Sequence, residues 1–163
     1  MRIAHKIGVL LAAIALLVVL LLLPRHSQGQ STQDFGDYIV HYSAITTNQL
    51  VDSVARQYAI ERSDRRGLLN IAVEAKAGGK SRPIQSNLIQ SRMIRADVSA
   101  SVGDLSGHVS PVHLRETSEN GDIDYLGEFP LTGSGSYVFN VKVIPPGGTR
   151  PYVVKFSRDY VVD

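Results

Sequence analysis

Two runs of alternating residues near the end of the chain constrain the fold most. The first run, residues 136–144, places its large apolar side chains on one side of a ribbon with a period of two: Tyr137, Phe139, Val141 and Val143. Residues 152–157 repeat this pattern after a stretch rich in Pro and Gly at residues 145–151. Such a stretch fits neither a helix nor a central strand. The two runs therefore predict a β-hairpin in the middle of a sheet that is buried on one face.

The first 29 residues have the features of an export signal. Arg2 and Lys6 precede an unbroken apolar run at residues 7–23, and Ser27 and Gly29 provide the small-x-small pattern that signal peptidase recognises. The run has 17 residues, which is also the lower limit for crossing a bilayer. A cleaved signal peptide at residues 1–29 is therefore predicted, and an uncleaved inner-membrane anchor is the alternative. In both cases the rest of the chain is expected in the periplasm.

The composition of the remaining chain excludes several functional classes. The protein has 17 Lys and Arg and 15 Asp and Glu, but the first 29 residues hold three of the cations and none of the acids, which leaves residues 30–163 with a net charge of −1. A nearly neutral domain lacks the basic surface that nucleic-acid binding requires. There is no cysteine. Disulfides, thiolate zinc sites, Cys nucleophiles and thiol redox chemistry are therefore excluded, and packing alone must hold the fold.

Residues 30–163 are expected to form a single domain. After a polar leader at residues 30–34, expected to be mobile, alternation and turn signals predict about seven strands. One short amphipathic helix over residues 50–58 follows the first strand and is expected to close one end of the sheet. The strand at residues 108–117 contains Pro111, which favours an edge or a bulge. This spacing is typical of a mainly β fold, an immunoglobulin-like antiparallel β-sandwich.

Short phrases spread along the chain are similar to a known family. In chain order they include residues 34–38, 40–42, 54–55, 60–63, 69–71, 125–126, 146–148 and 159–160. Together they resemble an exported bacterial family catalogued as the domain of unknown function numbered 4426, over roughly residues 34–163. The resemblance implies a Gram-negative envelope protein with a signal peptide and a β-sandwich, and it implies no activity. The sequence departs from the family at residues 103–108, so a partner that contacts this loop would differ here.

The histidines of the domain do not have the spacing of a metal site. His41, His108 and His113 include no His-x-His or His-x₃-His pair, and positions 108 and 113 face opposite sides of a regular strand. Ordinary surface or half-buried histidines are therefore predicted, with no cofactor. If a metal site exists, His41 and His108 on neighbouring strands are the expected ligands.

Catalytic motifs are also missing from the sequence. There is no Gly-x-Ser-x-Gly motif, and Gly79-Lys80-Ser81 lacks the earlier glycine of a phosphate loop because Glu74 occupies that position. The acidic residues around the Asn120-Gly121 turn lack the order of a calcium loop and are interpreted as a solvated hairpin. They are Glu116, Glu119, Asp122, Asp124 and Glu128. An enzyme is therefore not expected.

The candidate interaction surface is basic. Four arginines are concentrated after the predicted helix: Arg56, Arg62, Arg65 and Arg66. They would suit anionic headgroups or an acidic partner, although Glu61 and Asp64 lie between them and favour a simple charged loop. We add His41 and His108 to this surface. The sequence predicts a non-enzymatic interaction or accessory module with an unknown envelope partner, and contact with the membrane only through an uncleaved N-terminal segment. A small-ligand or metal-binding protein, with its site at the sandwich end near the helix, is the alternative.

Overall fold

The computed structural model describes residues 30–76, 92–104 and 106–162. The strands within these ranges are β1 (Ser31–Asp34), β2 (Tyr38–Thr46), β3 (Arg66–Ala75), β4 (Arg92–Met93), β5 (Asp97–Gly103), β6 (Val109–Val112), β7 (Arg115–Glu119), β8 (Asp122–Pro130), β9 (Gly135–Ile144) and β10 (Tyr152–Tyr160). A 3₁₀ turn at Thr47–Gln49 and one helix, α1 (Asp52–Gln57), lie between β2 and β3.

The strands form two antiparallel sheets. The first sheet has the order β1-β2-β3-β8-β7, with β4 paired to the end of β3, and the second has the order β10-β9-β5-β6. Without β1 and β4, these orders correspond to A-B-E-D and G-F-C-C′ of an immunoglobulin-type sandwich. The predicted fold class is therefore confirmed.

The core lies between the inner faces of the two sheets. Its fully buried side chains alternate along the strands as the sequence predicts: Val40, Leu69, Ile71, Val73, Phe139, Val141, Val143 and Val154. Phe139 stacks on Phe156 with ring centroids 4.7 Å apart. The hydroxyl group of Tyr125, on β8, accepts a hydrogen bond from the Ala96 amide and donates one to the Ala96 carbonyl, both at 2.8 Å. This pair of bonds ties the first sheet to the segment that enters the second.

The two predicted hairpins are present. β9 and β10 pair from Val143 with Tyr152 to Gly135 with Tyr160. β10 is an edge strand, so the predicted place of this hairpin in the middle of a sheet is wrong; alternation shows which face of a strand is buried and not whether the strand has a neighbour on both sides. Between β7 and β8, Asn120 and Gly121 both have positive φ angles, 52° and 90°. This is the conformation that a two-residue type I′ turn requires.

The predicted strand at residues 108–117 is two strands in different sheets. β6 lies at the edge of the second sheet and β7 at the edge of the first, so the chain crosses between the sheets at His113 and Leu114. Both sheets face the same core, and a strand that changes sheets can therefore keep one alternating pattern. Pro111 lies on edge strand β6, opposite Ser101, which agrees with its missing amide hydrogen.

The polar leader was predicted wrongly. Residues 31–34 pair with β2 as strand β1, with Ser31 opposite Tyr42 and Asp34 opposite Ile39. A strand at a sheet edge is held by backbone hydrogen bonds and needs few apolar side chains, so its sequence gives little signal.

The predicted export signal, with its apolar run at residues 7–23, lies outside the described residues, and so does the segment at residues 77–91. Among the residues that are described, no helix is both long and apolar enough to cross a membrane.

Candidate functional site

Apolar residues on the outer face of the first sheet require a cover. Ile45, Leu68 and Leu126 lie on adjacent strands β2, β3 and β8, on the face that points away from the core. The segment at residues 47–63, which contains α1, folds over them and completes a second, small apolar cluster with Leu50 and Tyr58. The helix therefore covers the outer face of the sheet. The prediction that it closes one end of the sheet is wrong.

Buried hydrogen bonds close the base of this covering segment. Thr47 is fully buried, and its hydroxyl group donates to the Ser63 carbonyl at 3.1 Å and accepts from the Ser63 amide at 2.9 Å. Arg62 pairs with Asp52 and donates to the Asn48 carbonyl at 2.7 Å. These bonds join the two ends of the segment to each other.

The far end of the covering segment is fastened to the β7–β8 hairpin. The Tyr58 hydroxyl group donates to the Glu119 carboxylate at 2.8 Å, and Arg115 donates to the Tyr58 carbonyl. The bond to Glu119 is the main reason why the pKa of Tyr58 is raised. The segment is thus held over the sheet at both ends.

A cavity of about 180 Å³ remains between the covering segment and the sheet. Its walls are mostly apolar and include Ile45, Leu50, Val54, Ile60, Leu68 and Leu126. Four polar side chains also line it: Ser43, Asn70, Thr117 and Asp124. An apolar cavity with a few polar groups is the usual form of a small-molecule site. We refer to this space, with the residues that line it, as the helix–sheet cavity.

The polar groups of the helix–sheet cavity converge on Asp124. Ser43 pairs with Asn70 across β2 and β3, and Thr117 pairs with Asp124 across β7 and β8. Burial is the main cause that raises the pKa of Asp124, and the nearby carboxylates of Asp122 and Glu119 raise this pKa further. The side chain of Asn70 and, less strongly, His41 lower it. Among the described residues, the Oδ1 atom of Asn70 is buried and accepts no hydrogen bond.

His41 lies beside the helix–sheet cavity. Its Nε2 atom is 2.7 Å from the Glu74 carboxylate, and both side chains are mostly buried. Ala72 separates His41 from Asp124 in the register of the sheet. His41 is therefore a partner of Glu74 at the edge of the site and does not line the cavity.

The structure does not bring His41 and His108 together. His41 is on β2, whose neighbours are β1 and β3, whereas His108 is exposed in the connection from β5 to β6 in the second sheet. The expected pairing of these two histidines on neighbouring strands is therefore wrong. Its physical cause is that β2 and the residues after β5 belong to different sheets.

The four arginines of the predicted surface lie near the covering segment. Arg56 is exposed on α1, Arg62 is paired with Asp52, and Arg65 is exposed just before β3. Arg66 contacts Glu128 at 3.0 Å and Glu61 at 3.4 Å. The acids between and opposite the arginines thus balance much of the charge of this region.

Sequence reasoning missed the cavity and the role of Asp124 in it. Of the five acids interpreted as a solvated hairpin, Glu116 pairs with Arg95, Glu128 with Arg66, and Glu119 with Tyr58. Asp124 is half-buried under the covering segment. Its one signal in the sequence is its neighbour Leu126, an apolar residue at a position where alternation predicts a polar one.

The sequence matches the family described as Domain of unknown function (DUF4426) over residues 32–163. The chain belongs to this family. The predicted resemblance is thereby confirmed. A comparison with functionally curated proteins finds no significant match.

Solved structures share the fold. A DUF4426 family protein from Pseudomonas aeruginosa PAO1 is 30% identical, with a TM-score of 0.64, over 85% of this chain and 99% of that one. FetP from uropathogenic Escherichia coli strain F11 is 11% identical, with a TM-score of 0.57, over 82% of this chain and 94% of its own. A copper-bound variant of P19 from Campylobacter jejuni is 10% identical, with a TM-score of 0.56, over 82% and 99%. The last two show the common sandwich fold alone.

Within residues 30–76, 92–104 and 106–162, no group of three or more His, Cys, Asp or Glu side chains is arranged to hold a metal ion.

Proposed function

We propose that this protein is an exported, non-enzymatic binding domain of the bacterial envelope, and that its helix–sheet cavity holds a small amphipathic molecule. The observation that carries this proposal is the cavity itself. Leu50 and Val54 face Leu68 and Leu126 across about 180 Å³, with Asn70, Asp124 and two hydroxyl groups along its lining. This proposal gives the leading role to the ligand-binding alternative of the sequence analysis.

The size of the cavity limits its ligand. Pockets for drug-sized molecules commonly have about 300–1,000 Å³, so about 180 Å³ suits a much smaller compound or the end of a longer one. The apolar walls favour a short hydrocarbon part, and each buried CH₂ group contributes about 0.8 kcal/mol. Affinity for such a ligand is expected to be modest.

One observation supports a role without catalysis. The hydroxyl group of Thr117 donates to the Asp124 carbonyl at 3.3 Å, so it is not paired with a general base. Export to the periplasm is supported by the basic and apolar N-terminal residues and by the fold shared with FetP, which was produced in the periplasm.

The test is a thermal-shift screen of the exported protein, purified from cells, with small amphipathic amines, alcohols and acids. A ligand present at 100 times its Kd contributes about 2.7 kcal/mol, which corresponds to a rise in Tm of roughly 10 °C for a domain of this size. The cavity-filling variant Val54→Phe should lose this response. Val51→Phe is the matched control, because Val51 lies just before α1 and is 63% exposed. A screen without any hit, or hits that Val54→Phe retains, would contradict the proposal.

Protein interaction is the second candidate function, and the outer face of the second sheet favours it. Val109, Val138 and Val153 are exposed there at 64%, 52% and 39%. A photo-crosslinking amino acid at position 138, used in living cells, should give one discrete adduct with an envelope protein. The same probe at exposed position 48, on the other side of the sandwich, should not give it. Equal adducts from both positions would remove this candidate.

A further inference from the structure

We propose that the ligand of the helix–sheet cavity is a small amphipathic amine, bound with its ammonium group at Asp124 and Asn70 and its hydrocarbon part against Leu68 and Leu126. This inference rests on the proposed function and adds the chemical class of the ligand.

The polar groups that line the cavity are rich in hydrogen-bond acceptors. Asp124 contributes a carboxylate, Asn70 a carbonyl oxygen, and Ser43 and Thr117 contribute hydroxyl oxygens. Among the described residues, no Lys, Arg or His side chain lines the cavity. An ammonium group has three donors and no acceptor, so it is complementary to such a set, whereas a carboxylate or phosphate is not.

Asn70 provides the most specific element of this set. Its side chain lies close enough to the Asp124 carboxyl to oppose the rise in the pKa of that group, and its Oδ1 atom is buried without a hydrogen bond among the described residues. A buried acceptor without a partner is destabilising. A ligand N–H group that reaches both Oδ1 and the neighbouring carboxylate would satisfy the pair with two bonds, one of them charge-assisted.

Within the described ranges, Asp124 lacks the ion pair with an arginine that balances the charge of two nearby glutamates. Glu116 and Glu128 each pair with an arginine. Asp124 has no ion pair with Lys or Arg within the described ranges, and the nearby carboxylates of Asp122 and Glu119 add negative potential. Half-burial beside other acids makes the carboxylate costly to ionise, which agrees with the direction of its pKa. A bound cation would remove this cost.

The test compares three five-carbon probes with different head groups: n-pentylamine, 1-pentanol and pentanoate. Binding to the exported protein at pH 7 is followed by ¹H–¹⁵N NMR, with the amide signals of Asn70, Asp124 and Leu126 as reporters. We expect the amine to bind about tenfold more tightly than the alcohol, which is the factor expected from one charge-assisted bond, and pentanoate to bind most weakly. The opposite ranking would overturn the inference.

Variants assign the preference to one carboxylate. Asp124→Asn keeps the shape of the side chain and removes its charge, so the amine and the alcohol should then bind within about twofold of each other. Asp122→Asn is the matched control, because Asp122 is exposed on the same strand and does not line the cavity. A preference for the amine that survives Asp124→Asn would contradict the assignment, and the NMR spectrum shows whether each variant is folded.

The outcomes separate this inference from the proposed function. If the alcohol or pentanoate shifts the cavity signals while the amine does not, the cavity is a binding site and the amine proposal is wrong. If none of the probes shifts these signals, and Val54→Phe gives the same titrations as the original protein, both the inference and the proposed function fail.

Discussion

The outer faces of the two sheets differ, although both belong to the same sandwich. On the first sheet, Leu68 and Leu126 are buried beneath α1. On the second sheet, the corresponding positions of the central strand β9 include Val138 and Lys142, which are exposed. No helix or strand among the described residues covers that face. One sheet therefore has two buried faces over part of its area, and the other sheet has one.

This difference follows from side-chain alternation. β9 alternates strictly, and its outward positions need no cover. β3 has apolar side chains on both faces, as in the pairs Leu68-Leu69 and Ala72-Val73, so its outer side must be shielded from water. The covering segment is anchored at its base and at its far end. It packs on Leu68 and Leu126 and leaves a cavity that these side chains and Asp124 line. The exceptions to alternation, more than alternation itself, thus locate the candidate site.

The largest expected effect tests the covered face directly. Leu126→Ala removes a buried side chain beneath the covering segment and should lower the free energy of unfolding by about 2–3 kcal/mol, at the lower end for a core leucine because the site borders a cavity. Val138→Ala, on the bare face of the second sheet, should change it by no more than about 0.5 kcal/mol. Urea denaturation of both variants gives the two values. Similar losses would mean that the two outer faces are not energetically different.

The second effect concerns the anchor of the covering segment. Thr47→Val preserves shape but removes the two hydrogen bonds to Ser63. The Ser63 carbonyl keeps its bond from the Asn48 amide, whereas the Ser63 amide is left without its partner, which should cost about 1–3 kcal/mol. Thr32→Val, on exposed strand β1, is the control and should cost little. Hydrogen exchange should also become faster for residues 50–60 and stay unchanged in β9. Unchanged exchange at residues 50–60 would show that Thr47 does not hold the segment.

Much of the fold could be predicted from the sequence because its signals are local. The period of two in β9 and β10 and the positive φ angles tolerated by Asn120-Gly121 depend on neighbouring residues only. Residues 108–117 are predicted as one strand but form two, β6 and β7, because a chain that crosses between sheets keeps the same alternation. Strand β1 was missed because backbone pairing at an edge does not require an apolar pattern.

The candidate site could be predicted only in part. The ligand-binding alternative puts its site at the sandwich end near the helix, whereas the candidate cavity lies between the helix and the outer face of the first sheet, and Asp124 is interpreted there as one acid of an exposed hairpin. Asp124 is partly buried because α1, some seventy residues earlier in the chain, folds over the outer face of the first sheet. Tertiary contacts of this kind leave no local pattern. The proximity of Asn70 and Asp124 is equally non-local, because it requires β3 and β8 to be neighbours, with Asn70 opposite Leu126 and Ala72 opposite Asp124.

A smaller effect is expected where the covering segment leaves α1. Ala59 has a φ angle of 51°, in the left-handed region that is unfavourable for a residue with a Cβ atom. Ala59→Gly should therefore stabilise the protein by about 0.5–1 kcal/mol, after the greater entropy of glycine in the unfolded chain is included. The melting temperature is the measurement, with Ala55→Gly in the middle of α1 as a destabilising control. A lower Tm for Ala59→Gly would contradict the expectation.

The smallest effect is a dependence of stability on pH that comes from Asp124 on the covered face. Because the pKa of Asp124 is raised mainly by burial, the folded protein holds this proton more tightly than the unfolded chain does. Stability from this group is present below the ordinary aspartate pKa of about 4 and decreases as the pH rises through the folded-state value. Asp124→Asn should therefore match the original protein near pH 3 and be more stable at pH 7, by less than about 1 kcal/mol because the group is partly exposed to solvent. The difference in Tm between the two proteins at each pH isolates Asp124 from the other acids. A residue that binds a cation at the expense of stability should behave in this way, whereas a solvated hairpin carboxylate should give no difference at any pH.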